Sequence, residues 1–183
     1  MLFSSPIAWL ILVIFAYQAG AAFCDVFERQ LKNVVTGFPL QKLTDQLFAF
    51  RSVFSQIQSN LYLYIPLLTM GIMSREYSSG SIKLLYSSPI TNRQIIWGKY
   101  IALMIYAAAL MGAIILTIVF AGITVKDLDL GAIASGMLGL YLMACAYCAI
   151  GLYMSTITSY QVVAAMGTLA VLAVLNFIGG VGQ

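Results

Sequence analysis

Five charged side chains between residues 75 and 99 stand out in this sequence because long, almost uncharged stretches lie on either side. They are Arg75, Glu76, Lys83, Arg93 and Lys99. Such side chains can form ion pairs and set the register of a docked partner. Each would cost about 2.5 to 3.5 kcal/mol at membrane depth on insertion scales. The sequence therefore predicts that residues 75–99, here called the polar island, lie in water or at the interface between two membrane spans.

The composition determines what kind of molecule carries this island. The chain has 183 residues, of which 62% are hydrophobic and 8% are charged, and it contains no histidine. A soluble domain carries about 25% charged residues, so the composition predicts an all-α integral membrane protein whose surroundings are a lipid bilayer. The net charge of +3 is spread over loops. Because no basic cluster lies on one face, no nucleic-acid partner is expected.

Several chemical functions lack the residues that they need. Cys145 and Cys148 form a Cys-x-x-Cys pattern, but it lies in an uncharged apolar run, which favours helix packing over redox or metal chemistry. The predicted spans contain no carboxylate for ion coupling or acid-base catalysis, which argues against a secondary transporter and an intramembrane enzyme. No Gly-x-x-x-x-Gly-Lys-Ser/Thr motif occurs, so we expect no cofactor and no nucleotide site in the chain itself.

Five apolar stretches are predicted to span the membrane within a single domain covering residues 1–183. About 20 apolar residues are needed for each span, and the predicted spans are about 5–24, 52–74, 100–125, 131–156 and 161–180. A signal peptide would need a basic start, which the first stretch lacks, so we interpret it as a retained span. Pro66 is predicted to kink the second span.

Residues 25–51 mix charged and apolar side chains. Leucine and phenylalanine recur at helical spacing from Leu40 to Phe54, which is typical of an amphipathic helix on the membrane face or packed on other loops. Gly37-Phe38-Pro39 predicts a break between two short helical pieces. The role of this segment stays open.

The polar island itself has an internal order. An apolar patch, Ile82–Tyr86, follows Gly80, and Ser88-Pro89 ends that piece because the residue before proline avoids helical geometry. Thr91 and Gln94 form a capping-box pattern that predicts the start of the next long helix. We therefore predict a short interfacial helix, a turn, and re-entry into the membrane. Gly98 is either a close-packing site or incidental.

The distribution of basic residues predicts the orientation. The island has four basic residues and one acid, whereas the loop at Lys126 has one basic residue and two acids. By the positive-inside rule the island and the N-terminus are cytoplasmic. Residues 25–51 would then be outside, although they hold four basic residues and three acids. The rule is only partly obeyed.

The spacing within the island resembles that of permease subunits of type-two ABC exporters, in particular the subgroup similar to gliding-motility permeases. The matching positions are Glu76, Ser79-Gly80-Ser81, Ile82 to Tyr86, Ser88-Pro89 and Gly98-Lys99. Ser4 to Ala8 resembles the entry to that subgroup's first span. Ser155 to Ala164 resembles its cytoplasmic turn between spans four and five.

The resemblance implies a half-transporter in the bacterial cytoplasmic membrane. Two permease copies, alike or different, would pair with two ATP-binding subunits, which bind the ATP. Residues 75 to 86 would form the coupling helix, and Lys99 would pair with Glu76. The residues that the resemblance assigns to ATPase coupling are Arg75, Glu76, Ser79, Gly80, Ser81, Lys83, Leu84, Leu85, Pro89, Gly98 and Lys99. The family also has a sixth span and a basic helix before the first, so the chain is expected to be a fragment or to have an atypical start and an early stop.

Two less specific interpretations remain open. The island would also fit an ordinary positive-inside loop that only sets topology, and the whole chain would fit a non-transporting membrane scaffold or assembly protein. Gln18 and Asn176 are polar groups within predicted spans, and we expect interhelical hydrogen bonds from them more than pore-lining roles. Neither the transported substrate nor the pathway follows from these residues.

Overall fold

Six helices make up the architecture that a computed structural model gives for residues 6–35, 50–81, 91–124 and 130–181. Their bounds are α1 Pro6–Val35, α2 Phe50–Thr69, α3 Ser74–Ser78, α4 Asn92–Thr124, α5 Leu130–Ile157 and α6 Gln161–Val181. Every regular element among these residues is helical, which confirms the predicted all-α class.

Three stretches of the described residues are long and apolar enough to cross a membrane. They are Asn92–Val119, Ile133–Ile157 and Gln161–Gly179, and a shorter apolar stretch, Ala8–Ala22, lies in α1. Helices α4, α5 and α6 are apolar on all sides and keep many leucine, valine and isoleucine side chains exposed, as expected of helices whose solvent is lipid. The chain is a multi-pass membrane protein. The count of five spans stays a prediction.

The first helix continues well beyond the predicted end of the first span at residue 24. It runs without a break to Val35, and Lys32 Nζ lies 3.8 Å from Glu28 Oε2 on its exposed side. Charged residues end an apolar stretch but do not end a helix, and an i,i+4 Glu–Lys pair favours helix formation. The first part of residues 25–51 is therefore continuous with α1. The predicted break at Gly37-Phe38-Pro39 lies outside the described residues.

The second helix ends earlier than the predicted span 52–74. Helix α2 ends at Thr69 and carries the buried Pro66 in its interior; whether Pro66 bends the helix stays a prediction. Residues 70–73 form a turn, in which the Ile72 amide donates to the Thr69 carbonyl at 3.2 Å. The turn leads directly into the short helix α3.

Helix α5 occupies the centre of the bundle. It packs against α2, α4 and α6 and also touches α3, while α1 packs against α2 and α4. Helix α6 contacts α2 and α3 in addition to α5. The largest fully buried apolar side chains are Tyr106, Phe15, Leu61, Leu103 and Leu172. A displacement of α5 would therefore be felt by most of the described helices.

Candidate functional site

An ion pair joins the short helix α3 to the start of the third long helix. Lys99 Nζ of α4 lies 2.5 Å from Glu76 Oε2 of α3, and the two side chains are only 18% and 25% exposed. The predicted Glu76–Lys99 pair is thus formed. Glu76 Oε2 is buried and accepts no hydrogen bond of favourable geometry among the described residues. Because Coulomb attraction does not depend on the bond angle, the ammonium still compensates its charge.

Lys99 also binds the turn that precedes α3. Its ammonium donates a hydrogen bond of 2.7 Å to the carbonyl oxygen of Ile72. One side chain of α4 therefore holds both the turn and the first part of α3. The ammonium therefore donates a hydrogen bond to Ile72 while its charge compensates that of Glu76.

Ser155 fixes the beginning of α3 from the opposite side. Its hydroxyl oxygen accepts the backbone N–H groups of Met73 at 3.0 Å and of Ser74 at 3.2 Å. The same hydroxyl donates to the carbonyl of Met70 at 3.3 Å. The first N–H groups of any helix lack intrahelical acceptors, and here α5 supplies the acceptor from another part of the chain. Ser155 and Ser74 are both fully buried.

One turn before Ser155, Gly151 allows α5 and α2 to approach closely. A Cβ atom at Gly151 would come within 2.8 Å of Thr69 Cβ and 2.9 Å of Thr69 Cγ2, so no larger residue fits without movement. Thr69 is fully buried and its hydroxyl donates to the Ile65 carbonyl at 2.8 Å. Gly151 and Ser155 therefore form one face of α5 that contacts the end of α2 and the start of α3.

The other end of α3 is open to solvent. Gly80 has φ of +72°, a left-handed geometry that glycine adopts at low cost and that commonly follows a helix C-terminus. The Ser79 amide donates to the Arg75 carbonyl at 3.0 Å. Arg75, Ser78 and Ser79 are exposed, while Ser81 is half-buried with its hydroxyl 2.7 Å from that of Ser79. Within the described residues, this side of α3 thus presents exposed side chains that another molecule could contact.

The start of α4 follows the predicted capping pattern. Helix α4 begins at Asn92, and Gln94 Oε1 accepts the Thr91 backbone N–H at 3.1 Å. The Gln94 half of the predicted capping box is thus present. Gly98 is exposed, and no described atom lies within 4 Å of a Cβ built there. The structure therefore gives no support, among the described residues, for Gly98 as a close-packing site.

Some of the predicted positions lie outside the described residues, and others lie in the bundle away from α3. Lys83, Leu84, Leu85 and Pro89 lie outside the described residues, so the extent of the coupling helix beyond Ser78 stays a prediction. In the bundle, Tyr64 donates to Gln18 Oε1 at 2.5 Å, which confirms the expected interhelical hydrogen bond. Cys145 and Cys148 are buried free thiols within α5, in agreement with a packing role.

Sequence reasoning missed the contacts of Ser155, Thr69 and Ile72 around α3. The signal for Ser155 was present as a small residue four positions after Gly151, but nothing local indicated its acceptors and donors. Its hydrogen bonds reach Ser74 and Met73, which lie 81 and 82 positions earlier in the chain. A backbone carbonyl such as that of Ile72 leaves no trace in a side-chain pattern.

The assembled site contains, among the described residues, no group of His, Cys, Asp or Glu side chains that could hold a metal ion. What it offers is a short helix with one exposed side, held from within the bundle by an ion pair and a cross-helix cap. Such an arrangement suits docking and the transfer of movement, in which charges set register.

Comparison with known proteins identifies the family. A family model described as ABC-2 family transporter protein matches residues 1–182. The comparisons with curated proteins and with solved structures each found no match. Because the family match covers nearly the whole chain, the protein belongs to the ABC-2 family of transporter proteins.

Proposed function

We propose that this chain is the permease subunit of an ATP-driven ABC exporter and that a separate ATP-binding subunit docks on α3. Family membership makes the chain a transmembrane permease of an ABC transporter and implies an ATP-binding partner. Export, and the use of α3 for coupling, are the proposed steps. The observation that carries the coupling step is the two-sidedness of α3, which is exposed at Arg75, Ser78 and Ser79 and bonded to the bundle through Glu76 and the Ser74 amide; export follows from the family resemblance.

This two-sidedness supports a coupling helix over a passive loop. A topology-setting loop needs only its charges, and it has no need of a buried cap or a partly buried ion pair. In α3 the charge of Glu76 is turned inward to Lys99, while Arg75 is left outside. A partner that pushed on the exposed side would move α3, and Lys99 would carry that movement to α4.

In the proposed assembly the island and the N-terminus face the cytoplasm of a bacterial cell. Two permease copies, identical or different, would each receive one ATP-binding subunit. ATP would be bound and hydrolysed in those subunits and not in this chain.

The decisive experiment measures ATPase activity that accompanies the chain. The tagged chain is purified from its native membranes in mild detergent, and vanadate-sensitive ATP hydrolysis is measured together with the presence of a subunit carrying Gly-x-x-x-x-Gly-Lys-Ser/Thr. We compare wild type with Arg75→Glu on α3 and Arg93→Glu on α4, since both arginines are exposed. Reversing a charge in the docked surface is expected to weaken binding about tenfold, so R75E should lose most of the co-purifying activity and R93E should keep it.

Two outcomes would contradict the proposal. If no ATP-binding subunit accompanies the wild-type chain, the alternative of a non-transporting scaffold is favoured. If R75E and R93E lose the same activity, docking does not use α3. Orientation is tested separately with Ser79→Cys in a Cys24→Ser background, where a membrane-impermeant maleimide should label residue 79 only from the cytoplasmic side.

A further inference from the structure

We propose that Ser155 is the positioning residue that makes α3 move together with α5, so that movement received at α3 enters the bundle through its central helix. The mechanical part of this inference rests on the proposed function. Its structural part concerns the chain alone and is tested without a partner.

The chemical basis is the hydrogen bonding of one hydroxyl. Ser155 Oγ accepts two consecutive backbone N–H groups, those of Met73 and Ser74, and donates to the carbonyl of Met70. A serine hydroxyl offers one donor and two acceptor lone pairs, so these three bonds use its full capacity. Ser155 and Ser74 are fully buried. If the Ser155 hydroxyl were removed, water could not take its place freely, and the unpaired amides would cost free energy.

Along the backbone, non-helical residues lie directly before and after α3 in the described part of the chain. On its N-terminal side α3 is preceded by the non-helical turn 70–73, which contains Gly71; on its C-terminal side it ends at Ser78 and is followed by Gly80 with φ of +72°. Within the described residues, therefore, α3 is not continuous with a long helix on its N-terminal side, and its last turn is followed by a glycine in left-handed geometry. Sideways, by contrast, α3 is bonded to α5 through Ser155 and to α4 through Lys99.

The face of α5 that carries Ser155 is also its tightest contact with α2. Gly151 lies one turn earlier and leaves no room for a Cβ beside Thr69. Two successive turns of α5 thus fix both the end of α2 and the start of α3. Since α5 packs against α2, α4 and α6, a displacement passed to it at Ser155 reaches all three helices.

The structural test uses hydrogen–deuterium exchange of the chain in lipid nanodiscs, followed by mass spectrometry of peptides covering residues 70–78. Ser155→Ala removes the acceptor of two amides and should speed exchange of Met73 and Ser74 about tenfold, a size expected for loss of a buried cap. Ser155→Thr keeps a hydroxyl and should restore most of the protection. Thr168→Val is the matched control, because Thr168 is also fully buried but donates within its own helix to Ala164.

The positioning role is overturned if exchange at Met73 and Ser74 is unchanged in S155A, or if T168V accelerates it equally. It is also overturned if S155A accelerates exchange throughout α5 and α6, because Ser155 would then support only the general stability of the bundle. Should S155A not fold, Ser155→Cys gives the same comparison, since it keeps the volume and weakens the acceptor.

The mechanical test uses the complex with the ATP-binding subunit and compares exchange with and without ATP plus vanadate. In wild type, nucleotide should change exchange in residues 155–161. In S155A the nucleotide-dependent change in exchange should fall by a larger factor than the amount of bound ATP-binding subunit. In T168V the change in exchange and the amount of bound subunit should both equal those of wild type. An undiminished response in S155A overturns the transmission role. The absence of any ATP-binding subunit overturns the proposed function instead, and the exchange result on the chain alone still decides whether Ser155 positions α3.

Discussion

The junction around α3 and the middle of the bundle are held together by different forces. In the middle, apolar side chains such as Leu103, Leu140 and Leu172 are buried against one another. At the junction, an ion pair, a cross-helix cap and a glycine contact link α2, α3, α4 and α5. In lipid, apolar side chains gain little from leaving the solvent, so the middle is stabilised chiefly by van der Waals packing, with separate interhelical hydrogen bonds such as that from the Tyr106 hydroxyl to the Ala8 carbonyl. At the junction, hydrogen bonds and an ion pair are added to this packing.

This difference shows where the contacts fix the exact position of one helix against another and where they only keep the helices close together. Apolar packing tolerates exchange of one hydrocarbon side chain for another of similar volume. A hydrogen bond weakens steeply when its partners shift by about 1 Å, and an ion pair weakens more gradually as its charges separate. The proposed coupling helix lies at the end of the bundle where its position is specified most narrowly.

The largest expected effect lies in the apolar middle. Leu103→Ala removes a fully buried side chain and should lower the free energy of unfolding by about 3 kcal/mol, because a cavity remains. Reversible unfolding in mixed micelles measures the loss. Leu142→Ala on α5 is the control, since Leu142 is 59% exposed, and it should cost well under half as much. Equal losses would contradict the assignment of a packed middle.

The next effect tests the closest approach at the junction. Gly151→Ala places a Cβ within 2.8 Å of Thr69 Cβ, and we expect a loss of about 2 kcal/mol in the free energy of unfolding from overpacking. Gly139→Ala in the same helix has no described atom within 4 Å and should be neutral or slightly stabilising. The same unfolding measurement checks both. A neutral G151A would show that α2 and α5 are not held as closely as described.

A smaller effect is expected from the ion pair. Glu76→Lys and Lys99→Glu should each lower the free energy of unfolding by about 1–2 kcal/mol, because the pair is partly buried. The double reversal should recover part of that loss, although Lys99 also bonds Ile72. A double-mutant cycle measures the coupling energy. The pair Glu28–Lys32, which is 3.8 Å apart and exposed, is the control and should couple by no more than about 0.5 kcal/mol. Absence of any recovery at 76 and 99 would contradict a stabilising pair.

The smallest expected effect concerns a polar contact inside the bundle, away from α3. Tyr64→Phe removes the donor to Gln18 and should lower the free energy of unfolding by about 0.6 kcal/mol, the average for interhelical hydrogen bonds in membranes. Tyr153→Phe, at a side chain that is 64% exposed, should have no measurable effect. A loss at Tyr64 as large as that of the ion pair would show that the middle also depends on directional bonds.

Much of the fold was predictable because membrane helices are defined by long apolar stretches. Helices α5 and α6 end within one residue of the predicted spans 131–156 and 161–180, since the polar turn between them interrupts an otherwise uncharged run. The start of α4 was predictable from Gln94, whose capping bond is local. The end of α1 could not be predicted from the end of the first span, because a change in polarity at Asp25 ends an apolar stretch and not the helix.

The contact between charged side chains in the site could be predicted from the sequence, whereas the contacts that involve backbone groups could not. Glu76 and Lys99 are rare charges beside apolar spans, and each needs a partner, so their pairing was expected before the structure. Ser155 is one small polar residue among many. Its role depends on which amides the bundle brings to it from more than 80 positions away in the chain, and only the tertiary structure supplies that information.

The length of α1 has a practical consequence for imaging this protein. Its 30 residues correspond to about 45 Å of helix, against a hydrocarbon thickness of about 30 Å. Even at a tilt of about 20° the helix is longer than the hydrocarbon layer, so its charged end projects into the headgroups and the water beyond. A fiducial protein fused rigidly to that projection would report the orientation of a small chain that is otherwise largely hidden in a micelle.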